Sequence, residues 1–163
     1  MKKLLSILLL SAIPTLALAA GEHKGGHGHD MGGMHKEAHA SAAGKAGDPA
    51  KVSRTIALNM DDTMRFTPSQ VSVKAGETIR FFIKNSGKIP HEVVIGTMSE
   101  LKEHAAMMRK IPDMKHAEPN MITLNAGQRG GIVWQFDKAG EVAFACLIPG
   151  HMEAGMIGKV TVN

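Results

Sequence analysis

Residues 140–162 read Gly-Glu-Val-Ala-Phe-Ala-Cys-Leu-Ile-Pro-Gly-His-Met-Glu-Ala-Gly-Met-Ile-Gly-Lys-Val-Thr-Val. Val142, Phe144 and Cys146 fall on alternate positions, and so do Val160 and Val162, which is the period of a strand with one buried face. Between these two strands Pro149, Gly150 and Gly155 supply the tight turns of a loop. The same alternation recurs upstream. It appears at Ile56, Leu58 and Met60, at Val71 and Val73, and at Ile79, Phe81 and Ile83. His91 opens a strand that carries Val93 and Ile95, and Ile132, Trp134 and Phe136 mark another. Lys-Ala-Gly-Glu occurs twice, at 74–77 and 138–141, as shared turn chemistry rather than as a domain repeat. Short strands at this spacing, separated by glycine turns, predict an all-β protein, a Greek-key antiparallel β-sandwich. One stretch departs from the pattern. Met98 to Lys110 is rich in helix formers, with Ser99 as the expected cap, and it stops before Pro112. It predicts a short helical insertion on the outside of the sandwich, within a Met-rich segment of about 98–120.

Inside the quoted loop the spacing is Cys-x4-His-x4-Met, from Cys146 through His151 to Met156. A thiolate, an imidazole and a thioether suit copper, because soft sulfur favours Cu(I) and imidazole serves either oxidation state. Zinc would draw on more thiolates or carboxylates. A trigonal Cys-His-His site with a weak axial Met needs one more histidine. His91, following Pro90 at a strand start, is the best supplier. Each residue has a plain structural alternative: a strand-edge histidine, a buried small thiol, a core methionine. The joint order and spacing favour ligation over all of them.

The rest of the chain sets the context. It has 163 residues, and 44% of them are apolar, enough for one domain with extra sequence at one end. Met1-Lys2-Lys3, the apolar run Leu4 to Leu18, and Ala17-Leu18-Ala19 form a signal-peptide pattern over residues 1–19, with cleavage near Ala19. The run is too short for a membrane anchor, so the expected product is exported, to the periplasm, and unanchored. Nineteen Lys and Arg face fifteen Asp and Glu, and losing Lys2 and Lys3 leaves seventeen against fifteen. That balance gives no electrostatic footprint for nucleic acid. A lone cysteine in an oxidising compartment cannot pair internally, and ligation explains it best.

Residues 20–50 read as a disordered tail holding five of the nine histidines, His23, His27, His29, His35 and His39. Short tracts of this kind bind metal, so the tail is a candidate secondary copper site. Met107, Met108 and Met114, with His104, His116 and Met121 nearby, form a softer candidate, against which stands ordinary packing by flexible methionines. The folded domain is expected over 51–163.

His91, the Cys-x4-His-x4-Met segment and the closing Gly-Lys-Val-Thr-Val strand together resemble the cupredoxin family over roughly residues 52–163. His91-Glu92-Val93-Val94 and Cys-Leu-Ile-Pro-Gly-His look most like the periplasmic copper-tolerance cupredoxins of the CopI type, which also carry a His-rich N-terminal region. The resemblance implies one type 1 copper held by His91, Cys146, His151 and Met156. Many electron carriers of the family have Asn or Ser after the first histidine, and Glu92 departs from that. Copper tolerance by binding copper is therefore the expected function, and a blue-copper electron carrier the alternative. The expected partners are copper ions and a redox or copper-transfer protein. No enzyme is expected. Ala145 and Leu147 stand where multicopper oxidases carry histidines, and Gly150 where a binuclear copper centre carries its second cysteine. Oxidation of Cu(I) would have no dedicated residues.

Overall fold

The computed structural model describes residues 41–111 and 117–163. Ten strands and one α-helix follow in order among the described residues, with a single 3-10 turn at Pro49–Lys51: β1 (Lys45–Ala46), β2 (Arg54–Asp61), β3 (Arg65–Thr67), β4 (Gln70–Val73), β5 (Thr78–Asn85), β6 (His91–Gly96), α1 (Met98–Lys110), β7 (Met121–Leu124), β8 (Arg129–Gln135), β9 (Gly140–Ala145) and β10 (Ile157–Val162). They form two five-stranded sheets, ordered β1-β8-β5-β2-β3 and β4-β10-β9-β6-β7. This is the expected sandwich. The chain crosses between sheets after β3, β4, β5, β7 and β8, so consecutive pairs such as β2–β3 and β9–β10 sit beside strands distant in sequence.

The sheets are mixed rather than purely antiparallel. β2 pairs with β5 in parallel, and β4 with β10. The cause is the crossover: β2 and β5 are separated by a passage through the other sheet, which returns the chain in its original direction.

The alternating residues meet between the sheets. Leu58, Met60, Ile79, Phe81, Ile83, Val93, Ile95, Ile132, Trp134, Phe144 and Val160 are all buried in one cluster that also contains Cys146 and Met156. Phe66 and Phe144 stack edge to face with centroids 5.0 Å apart, as do Phe81 and Phe136 at 6.3 Å. Phe144 lies over Gly158, its partner on β10. A Cβ at Gly158 would come within 2.0 Å of the ring, which accounts for glycine in the closing strand.

A second apolar cluster lies on the outer face of the β6–β9 sheet. Leu101 and Ala105 of α1 cover Val94, Ala143, Ala145 and Leu147 there, so β6 is buried along its whole length. The helix spans the expected residues, but its cap is Thr97, not Ser99. Thr97 Oγ1 accepts from the Glu100 N–H, and Glu100 accepts from the Thr97 N–H, completing a capping box.

A further correction concerns the tail. Residues 41–50 were expected within it, yet they pack on the sandwich. Lys45 and Ala46 pair with Gln135 and Trp134 of β8, Ala43 is buried, and Trp134 Nε1 donates to the Ala43 carbonyl at 2.8 Å. A buried indole N–H needs an acceptor, and the arm provides it. Composition alone hides this, because Ala and Gly carry no pattern. The histidines at 23–39 lie outside the described residues, as do Met114 and His116. Among the described residues no helix is long and apolar enough to cross a membrane.

Candidate metal centre

The β9–β10 loop closes on itself before any ligand is considered. Ala145 pairs with Ile157, and the Cys146 N–H donates to the Met156 carbonyl at 3.1 Å. Met156 N–H then donates to the His151 carbonyl, and Gly155 N–H to that of Met152, each at 3.0 Å. Two residues in the loop have φ near +90°, Gly150 at +90° and Gly155 at +96°, a region in which glycine carries no steric penalty. Arg65 of β3 braces the loop from the first sheet, its Nη1 donating to the Ala154 carbonyl at 2.8 Å. Met156 is buried beside Cys146 in the core.

His91 reaches the same end of the sandwich through register. β6 runs antiparallel to β9, with Val94 opposite Ala145. Stepping back along β6 from Val94 therefore moves toward the loop that follows Ala145. The Glu92 N–H donates to Cys146 Sγ at 3.3 Å, and the Glu92 carboxylate accepts from Thr123 of β7. The turn leading into His91 is held by buried Asn85, whose Nδ2 donates to the carbonyls of Ile89 and Leu124.

The result is a cluster in which one donor atom each of His91, Cys146 and His151 lies within 4.8 Å of the others. Cys146 Sγ sits 3.3 Å from His151 Nδ1, and the two imidazoles are 5.0 Å apart between centroids. His91 and Cys146 are fully buried, whereas His151 is partly exposed. The Cys146 thiol is pushed up to about 11, chiefly by burial, so at neutral pH it is protonated. His151 is pushed below the ordinary imidazole range, first by burial and then by the neighbouring His91, which keeps it neutral.

His91 decides the chemistry of the cluster. Its Nε2 lies 3.1 Å from Asp62 Oδ1, while its Nδ1 is buried and has no hydrogen-bond partner. A buried imidazole nitrogen without a partner is destabilising on its own. Beside a thiol and a second imidazole, such a nitrogen is available to a metal ion. Two nitrogens and one sulfur suit copper. The plastocyanin/azurin family of copper-binding proteins matches residues 52–163. The chain belongs to this family. Copper is accordingly its cofactor.

Relatives within the cupredoxins agree. The chain is 51% identical to the copper-resistant cuproprotein CopI of Rubrivivax gelatinosus, over 96% of this chain and 98% of that protein. It is 35% identical to the protein of the same name in Pseudomonas aeruginosa, over 77% and 85% respectively. Among solved structures, auracyanin B superposes with a TM-score of 0.62 at 22% identity, covering 74% of this chain and 96% of that one, a likeness of fold.

Of the residues singled out from the sequence, His91, Cys146 and His151 come together, and Met156 is pinned beside them through its backbone. Of the secondary candidates, those among the described residues lie outside this cluster. His104, Met107 and Met108 lie on α1, where Met107 is exposed and His104 and Met108 are half-buried. Asp62 was not singled out. It sits in Asp61-Asp62-Thr63, which reads as ordinary turn chemistry, and only the fold brings it to His91. The Lys88 N–H, as the largest influence, holds its carboxyl below the usual carboxylate range.

Proposed function

We propose that the protein is an exported, non-enzymatic copper-tolerance cupredoxin that holds one type 1 copper through His91, Cys146, His151 and Met156. The observation that carries this is the buried Nδ1 of His91, left without a hydrogen bond beside Cys146 Sγ and His151. Bound there, copper supplies a one-electron centre and an ion kept out of solution. The chain supplies the rest. Backbone hydrogen bonds fix the loop, the Glu92 N–H points at the sulfur, and apolar packing excludes water. The names of the relatives at 51% and 35% identity support tolerance as the role.

The histidine tail fits that role better than electron transfer, since additional imidazoles increase copper capacity and add nothing to tunnelling. A strain lacking the protein should be copper-sensitive. A version deleted for residues 20–40, keeping Ser41 onward because Ala43 and β1 belong to the sandwich, should restore growth only partly. Wild-type growth of the null strain in copper would contradict the tolerance role. The electron-carrier alternative draws on His151, the most exposed ligand, as an exit for electrons. It predicts rapid, reversible exchange with a co-exported redox protein.

Ligation also sets a pH dependence. The copper-bound form needs a thiolate, and the free Cys146 thiol keeps its proton up to about pH 11. Binding therefore releases one proton throughout the neutral range, and apparent affinity should rise about tenfold per pH unit. A second proton enters only below the depressed range of His151, where the slope steepens. Competition titrations at pH 6.5, 7.5 and 8.5 would show the tenfold steps. A flat profile would remove Cys146 from the ligand set.

A further inference from the structure

The two nitrogens of the His91 ring have opposite surroundings. The ring is fully buried, Nε2 lies 3.1 Å from Asp62 Oδ1, and Nδ1 has no partner. A neutral imidazole carries one N–H, and an ionised carboxylate can only accept. The proton therefore resides on Nε2, which leaves Nδ1 a bare, buried lone pair on a ring that clusters with Cys146 and His151. Asp62 is itself held in place. Its Oδ2 and Oδ1 accept from the Lys88 N–H at 2.8 and 3.0 Å, with the Ile89 N–H at 3.5 Å from Oδ1. A Cβ on Gly87 would come within 2.0 Å of Asp62 Oδ1, so glycine at that position makes the room the carboxylate occupies. The same carboxylate thus ties down the 86–89 turn and the ring that follows it.

We propose that Asp62 is a positioning residue of the copper centre, fixing His91 in the tautomer that offers Nδ1 and, through its charge, favouring Cu(II) over Cu(I). The proposal rests on His91 being a copper ligand. Carboxylates behind metal-bound histidines orient the ring and raise its basicity, and their removal typically weakens metal binding about 10–100-fold. The negative charge acts more strongly on the doubly charged ion, so its loss should affect Cu(II) more than Cu(I). A purely structural role, loosening of the 86–89 turn, would weaken both oxidation states alike.

The test uses the mature chain with Asp62→Ala and Asp62→Asn, beside Cys146→Ser. Nitrogen NMR of the copper-free protein reads the His91 tautomer, and chelator competition reads Cu(I) and Cu(II) affinities. Wild type should show His91 protonated at Nε2. Asp62→Ala should lose that single tautomer and bind Cu(II) about 10–100-fold more weakly, with a smaller loss for Cu(I). Each tenfold difference between the two oxidation states raises the reduction potential by about 59 mV. Asp62→Asn keeps a carbonyl acceptor without the charge, so it should preserve the tautomer and still raise the potential. A wild-type His91 protonated at Nδ1 would overturn the proposal. So would two folded variants with wild-type Cu(II) affinity and potential. Unchanged copper binding in Cys146→Ser would instead remove the ligand set on which the proposal rests, whereas its loss there with wild-type Asp62 variants would defeat the Asp62 role alone.

Discussion

Replacing Cys146 with serine should abolish the intense visible absorption of the copper-loaded protein and weaken copper binding by more than about 100-fold. The band needs a thiolate bonded to Cu(II), and no other cysteine exists in the chain. The affinity loss should exceed the 10–100-fold typical of an outer-sphere partner, because a bonded atom is removed. The fold should survive, since Ser is close to Cys in volume and the loop is held by its own backbone hydrogen bonds. Some copper should still bind through tail histidines, without the band. Visible spectra and copper content on titration with Cu(II) check this. A band that persists in Cys146→Ser would show that it arises elsewhere.

Phe144→Ala should destabilise the copper-free protein by about 3–5 kcal/mol, the usual cost of emptying a large aromatic site. Phe144 is fully buried, stacks on Phe66 of the other sheet, and covers Gly158 on the neighbouring strand. Its removal leaves a cavity that glycine cannot fill, two residues along the strand from Cys146. Urea unfolding, with a wild-type slope, would report the loss. A change below about 1 kcal/mol would mean that the sheets close over the gap without strain.

The strands were legible because one face of each is buried, so the sequence alternates. Leu58, Ile79, Phe81, Val93, Ile132, Phe144 and Val160 were all marked by period and all enter the core. The Cys146, His151, Met156 spacing was legible for a different reason: one short loop carries all three. What stayed hidden depends on contacts between distant segments. Asp62 and His91 are 29 positions apart, and nothing local distinguishes Asp62 from any turn aspartate. The parallel pairing of β2 with β5 arises from a crossover, which leaves no mark on either strand. Thr97 outcompetes Ser99 as the helix cap because Glu100 stands three residues after it and completes a capping box, a spacing present in the sequence. The arm at Ala43 to Ala46 is held by Trp134 and β8, which its own composition does not announce.

The proposed centre holds a single copper between His91, Cys146 and His151 at the end of the sandwich. A crystal structure of the protein loaded with one equivalent of copper, with anomalous diffraction at the copper edge, tests it most directly. The predicted result is one strong anomalous peak bonded to His91 Nδ1, Cys146 Sγ and His151 Nδ1, with the Met156 sulfur nearby and His91 Nε2 still facing Asp62. A strong peak on the helix α1 methionines or the tail histidines, with the Cys146 site free of copper, would contradict it.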